Sequence, residues 1–256
     1  MKRMIVGLLF SGLVSIGLAL PSSAKREQPE PSVLINEVRQ AHSLPQDGKA
    51  LSAIRIEALK VVSTYSDPDS ELPNFFERKL EVSIDGKTFR RYQVDPLGLK
   101  EEKDVFDGQA AYHTEIEKGI EVVSNQMEYE QLRTAELNIR TFGLVPILNQ
   151  LSDPATDISH LGCTARKEDK FEVKTASGSW ILYADQWHII RKVVVGSRTI
   201  EYGDYRSVEG IRLPFIQRVY QYGKLRYELI FNKIELNRAF PSGYFNRDTL
   251  SKPIGR

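Results

Sequence analysis

Residues 179–237 constrain the fold more than any other part of the chain. Apolar runs at 179–184, 189–195, 199–206, 211–220 and 225–236 are separated by the turn signals Asp185-Gln186-Trp187-His188, Gly196-Ser197, Glu209-Gly210 and Gly223. Short β-branched and aromatic runs, cut at regular intervals by turn residues, specify an antiparallel meander, sandwich or barrel. In the last run Leu225, Tyr227, Leu229 and Phe231 alternate with Arg226, Glu228 and Asn232, and Ile230 breaks the pattern. A two-residue period gives a sheet one apolar face and one mostly hydrated face. Such a sheet, with few reactive groups on it, suits holding a lipid better than transforming a substrate.

The rest of the chain follows the same grammar. A helix is predicted over 33–43, with Leu34, Val38 and Ala41 on one side, and strands over 51–62, 76–84, 88–94, 100–106 and 109–114. Asp85-Gly86 is a hairpin signal, and Pro96-Leu97-Gly98 and Asp107-Gly108 punctuate the strands that follow. In 76–84, Leu80, Val82 and Ile84 alternate with Glu81, Ser83 and Asp85. Residues 126–151 are the one long helical section, read as two pieces with a bend at Gly143 and Pro146. The second piece carries an apolar stripe of Leu144, Ile147, Leu148 and Leu151. Strands resume at 157–166 and 170–174. The expected class is α+β, mainly β, in one domain.

The N-terminus has the form of a secretory signal. Lys2 and Arg3 precede an uncharged apolar stretch over 4–20, and Pro21-Ser22-Ser23-Ala24 supplies small residues for cleavage after Ala24. Residues 25–32 read as a flexible leader and 33–256 as a single domain. No cysteine stands at the cleavage region after the apolar stretch, so lipidation there is not expected. Of 35 basic and 34 acidic residues, removing Lys2 and Arg3 leaves 33 against 34. That balance gives no electrostatic footprint for nucleic acid. Cys163 is the single cysteine, which excludes an internal disulfide.

Catalytic signatures do not surface. His42, His113, His160 and His188 are scattered without the helical spacing of a zinc site. Thr175-Ala176-Ser177-Gly178-Ser179 lacks the order of a nucleophile elbow. Asp47, Asp85, Asp107 and Asp185 fall at turns, where a carboxylate caps nearby amides. The sequence therefore predicts no enzyme, no cofactor and no metal.

Several phrases recur in a familiar order. Thr88-Phe89-Arg90-Arg91-Tyr92 leads to Val105-Phe106-Asp107-Gly108-Gln109 and the aromatic Tyr112; then come Phe142-Gly143-Leu144-Val145-Pro146-Ile147-Leu148, Leu161-Gly162, Ile181-Leu182-Tyr183-Ala184-Asp185, and Asp204-Tyr205-Arg206-Ser207-Val208-Glu209-Gly210-Ile211-Arg212-Leu213-Pro214. This order resembles the lipoprotein-carrier family of LolA and LolB, over nearly the whole mature chain. The resemblance implies a strongly curved antiparallel sheet, an open half-barrel, with a helical lid over its concave face. It implies a periplasmic carrier of lipoprotein acyl chains or another lipid, a monomer working between an inner-membrane donor and an outer-membrane acceptor. Envelope sensors and interaction proteins of the same fold are the alternative. The family's lid-closing arginine is not matched, since the corresponding place reads Ile84-Asp85-Gly86-Lys87.

Strand parity assigns a cavity lining of Leu80, Val82, Tyr92, Val94, Trp180, Leu182, Leu213, Phe215, Tyr227, Leu229 and Phe231. The predicted lid residues are Phe142, Leu144, Ile147, Leu148 and Leu151.

Overall fold

A computed structural model describes residues 30–45, 51, 53–63, 75–85, 87–126, 141–175 and 178–247. The predicted signal, its cleavage point, most of the leader and the first of the two expected helical pieces lie outside these residues.

Helix α1 spans Pro31–Ala41. It starts two residues earlier than the sequence suggests because Pro31 occupies the first turn, where its missing N–H is no loss. The strands are β1 Ala53–Ser63, β2 Phe75–Asp85, β3 Thr88–Val94, β4 Lys100–Phe106, β5 Ala111–Glu117 and β6 Ile120–Gln126. Helix α2, Val145–Leu151, precedes β7 Asp157–Cys163, β8 Asp169–Thr175, β9 Gly178–Ala184, β10 Ile190–Val195, β11 Arg198–Val208, β12 Ile211–Gln221 and β13 Lys224–Leu236.

All thirteen strands join one sheet in the order β6-β5-β4-β3-β2-β1-β13-β12-β11-β10-β9-β8-β7, and each strand runs antiparallel to its neighbours. Two meanders are thus fused through β1 and β13, whose pairing runs from Ile54↔Leu236 to Val62↔Tyr227. The sheet does not close; it is a curved, open half-barrel with β6 and β7 at its edges. The chain leaves the sheet at one edge and re-enters at the other. Of the residues between β6 and β7, 141–151 lie over the inner face.

Register decides which side chains meet that crossing. Ile54, Ile56 and Ala58 of β1 pair with Ile84, Val82 and Leu80 of β2, and with Leu236, Ile234 and Phe231 of β13. Paired residues share a face, so these form an apolar inner floor. Leu229, Gln217 and Tyr202 continue it across β13, β12 and β11; Val193, Leu182 and Phe171 extend it to β8. Leu34, Ile35 and Val38 of α1 and Val145, Ile147, Leu148 and Leu151 of α2 pack into the same core.

His42 ties α1 to the sheet. It is fully buried; its Nδ1 lies 2.8 Å from the Arg212 carbonyl, and the Ile190 N–H donates to its Nε2 at 3.1 Å. That pairing fixes a neutral ring protonated on Nδ1. Desolvation by burial lowers its pKa from 6.5 to about 4.

The outer face of β2 and β3 is covered by the segment after β13. Phe240 and Tyr244 are stacked, and Phe245 meets both rings edge to face. Tyr244 meets Ser83 and Glu81 through its hydroxyl, both at 3.2 Å, and its ring lies under the Arg90 guanidinium at 4.6 Å.

Candidate functional site

The inner face has two halves of different chemistry. Over the floor of β1 and β11–β13 lies the crossing segment 141–151. Gly143 (φ 65°) and Leu144 (φ 71°) are consecutive left-handed residues, a sharp break after which Pro146 sits in the first turn of α2. Pro146 thus opens a helix; it does not bend one, as the sequence reading had it. The Gly143 N–H donates to Gln217 Oε1 at 3.0 Å, and the Tyr202 hydroxyl donates to the Thr141 carbonyl at 2.8 Å. Asn149 closes the other end, accepting from the Leu51 N–H and donating to the Leu51 carbonyl. Phe142 packs on Phe231 with ring centroids 5.7 Å apart. Leu144, Ile147 and Leu148 are fully buried, and Phe142 and Leu151 nearly so.

The other half begins at β3. The rows Ile56–Val82 and Ala58–Leu80 continue as Arg91–Asp104–His113 and Gln93–Glu102–Glu115 across β3, β4 and β5. An apolar floor thus passes into a charged one on the same face. Arg91 pairs with Asp104 through Nε, and lies 3.6 Å from Glu102. His113 bonds Asp104 through Nδ1 at 2.6 Å and Glu115 through Nε2 at 3.2 Å. Lys100 reaches Glu115 at 3.0 Å, and Gln93 donates to Glu102 at 2.5 Å. The Asp104 hydrogen bond raises His113 above its ordinary range, against the opposing effect of burial. Burial alone would raise Asp104, but the Arg91 charge and the His113 bond together hold it low. With both ring nitrogens bonded to carboxylates, His113 is a clamped cation and has no lone pair for general-base work.

The register brings together most of the predicted lining. Leu80, Val82, Leu229, Phe231 and Tyr227 lie on the inner face, as do Leu213 and Phe215 of β12 and Trp180 and Leu182 of β9. Tyr92 and Val94 do not. The β2–β3 hairpin sets Asp85 opposite Thr88 and Ile84 opposite Phe89, so Phe89, Arg91 and Gln93 face inward. Tyr92 and Val94 instead pair with Glu81 and Lys79 on the outer face, where Lys103 lies 5.8 Å from the Tyr92 ring. In Phe-Arg-Arg-Tyr-Gln-Val either parity buries something apolar, and turn geometry decides between them. The same parity error hid Arg91; Asp104 and His113 went unassigned to any face, since hydrophobicity alone does not mark them.

No protein-family model matches the chain, and no curated protein matches it by sequence. Its fold does match solved structures. One is a putative outer membrane lipoprotein-sorting protein domain from Vibrio parahaemolyticus, with a TM-score of 0.51 at 8% identity, covering 87% of this chain and 98% of that one. Another is a DUF1329 family protein from Desulfovibrio piger, with a TM-score of 0.53 at 8% identity, covering 86% and 98%. A LolA superfamily protein from Nitrosomonas europaea aligns at 0.49 and 11% identity over 85% and 98%. The first two carry the comparison, and what they establish is a shared fold.

Proposed function

We propose that this protein is an exported carrier that holds acyl chains of lipoproteins, or of another lipid, on the inner face of its half-barrel. Segment 142–151 is the cover that the ligand displaces. The observation that carries the reading is the form of that cover. A broad apolar floor is shielded by a short helix reached through two left-handed residues, not by a second sheet. The cover is held at its ends by polar bonds from Gln217, Tyr202 and Asn149. Such bonds contribute about 1 kcal/mol each net, so they locate the segment without locking it. The charged half over β3–β5 lies beside this floor, and there a lipid's polar end would sit while its chains take the apolar half. No step of this function is catalytic. The carrier works as a monomer in the periplasm after removal of residues 1–24, between a donor at the inner membrane and an acceptor at the outer.

Native mass spectrometry of protein recovered from its own periplasm tests this. The expected spectrum contains a chain beginning at Lys25 with acylated adducts, and a fluorescent fatty-acyl probe then binds the delipidated protein saturably at one-to-one. Neither adducts nor probe binding in folded protein would remove the carrier reading.

A further inference from the structure

Strand β7 is an edge of the sheet, and its pairing with β8 is irregular. His160 lies opposite Phe171, but Cys163 lies opposite Asp169. In an unbroken strand residues three apart point to opposite faces. The extra residue in this bulge, with Gly162 at φ 95°, turns Cys163 onto the face that His160 occupies. Asp169 stands two residues from Phe171 on β8 and shares that face.

Three donors of different chemistry therefore converge. His160 Nε2, Cys163 Sγ and an Asp169 oxygen lie within 4.8 Å of one another. Asp169 Oδ1 is 3.0 Å from the imidazole nitrogen and 3.1 Å from the sulfur. The His160 ring is packed on Phe171, with centroids 5.2 Å apart. The side chains of His160 and Asp169 are only 6% and 15% exposed, whereas Cys163 is exposed. The arrangement is a nearly buried nitrogen–oxygen pair with a thiol at its mouth.

We infer that His160, Cys163 and Asp169 form a three-ligand site for a zinc-type divalent cation, with water in the fourth position. Imidazole, thiolate and carboxylate are the three side-chain types that bind zinc, and bond lengths of about 2.0–2.3 Å in a tetrahedron set donors roughly 3.4–3.6 Å apart. The two separations to Asp169 need to widen by about half an ångström, and the nitrogen–sulfur separation already lies within 4.8 Å. In the free protein the Cys163 thiol donates to Asp169. On binding, the sulfur–hydrogen bond is replaced by a sulfur–metal bond and the proton passes to solvent, with no change of oxidation state. His160 Nε2, whose N–H donates to Asp169 in the free protein, gives up that hydrogen to solvent, and the neutral ring takes its one proton on Nδ1 so that the Nε2 lone pair can bind the ion. The ion would fasten the β7–β8 hairpin at an exposed sheet edge, where unpaired backbone groups otherwise invite pairing with another chain.

Tag-free protein titrated with zinc and, separately, with cobalt tests the site. The expected results are one-to-one zinc binding by calorimetry and a thiolate-to-cobalt charge-transfer band in the near ultraviolet. Cys163→Ser should abolish the band, and it should weaken zinc binding by more than about tenfold, as should Asp169→Asn. Circular dichroism confirms that each variant is folded. Because Cys163 is exposed, its substitution carries the decision should Asp169→Asn disturb the hairpin. Zinc binding by folded Cys163→Ser equal to that of the wild type, or no binding by the wild type at micromolar free zinc, overturns the assignment.

Discussion

Gly143→Ala separates a movable cover from a fixed core helix. Gly143 stands at φ 65°, where a Cβ costs about 1–2 kcal/mol. That Cβ would also fall well inside contact distance of Ile56 Cδ1. Ile56 is fully buried, so its side chain must leave its rotamer, at a cost of about 0.5–1.5 kcal/mol. The closed arrangement should lose roughly 1.5–3.5 kcal/mol in all. If segment 142–151 leaves the floor when ligand enters, this penalty falls on the closed state alone. Apparent affinity for a fatty-acyl probe should then tighten by up to about 10–300-fold while the melting temperature falls. Fluorescence titration and thermal denaturation measure the two effects on the same sample. Ile56→Val removes the colliding methyl and by itself costs about 1 kcal/mol. Combined with Gly143→Ala it should return part of the loss, a coupling of about 1 kcal/mol in a double-mutant cycle. Lower stability with unchanged probe affinity would refute the displaceable cover and leave a helix that belongs to the core. Unchanged stability would refute the packing described at Gly143.

Three further outcomes follow from polar groups. His42 is buried neutral, and its fall from 6.5 to about 4 means the unfolded chain binds the proton more readily. The His42 contribution is therefore full above pH 6.5 and falls as the solution is acidified toward 4, by roughly 3 kcal/mol in total; urea denaturation of wild type and His42→Asn across this range should show the difference narrowing with acid. His113 has the opposite sign, since its hydrogen bond to Asp104 raises it. The advantage of wild type over His113→Gln should be whole below its ordinary value of 6.5 and decline as pH rises through the raised value, and a flat difference between about pH 5 and 9 would contradict the clamped cation. Tyr244→Phe deletes the hydroxyl contacts with Ser83 and Glu81 and should lower unfolding free energy by about 1–2 kcal/mol without altering probe binding.

Local pattern made much of the sheet legible. Strands β3 and β4 occupy the residues that alternation and turn signals predict, because Asp85, Pro96 and Asp107 mark their ends. Strand β6 escaped, since Ile-Glu-Val-Val-Ser-Asn-Gln neither alternates nor has a hydrophobic run long enough to stand out. What strand period cannot reveal is a bulge. Shifts at Glu57/Ala58, Val219/Tyr220 and His160/Cys163 each add a residue without changing local composition. The last of these conceals the convergence of His160 with Cys163. Pairings that span the chain are equally silent. His42 meets Arg212 across 170 positions, and the charged network exists only once β3, β4 and β5 lie side by side. In each case the missing information is which strands are neighbours and in what register, and that is set by cooperation of the whole sheet.

In the proposed carrier, segment 142–151 lets an apolar floor exist without a permanent occupant. An empty groove of this size would forfeit the contacts of every side chain lining it. Here Phe142, Leu144, Ile147, Leu148 and Leu151 supply those contacts from the chain itself. Exposing five such side chains costs about 8–15 kcal/mol, at roughly 1.5–3 kcal/mol each. Burying a dozen methylenes of an acyl chain returns roughly 10 kcal/mol, at about 0.8 kcal/mol per methylene. On that proposal the two quantities are of the same size, and the net free energy of loading is set by the smaller terms: the end bonds from Gln217, Tyr202 and Asn149, and the left-handed backbone at Leu144. A near balance is what a carrier requires, because a groove that strongly preferred its ligand would take it up and never release it.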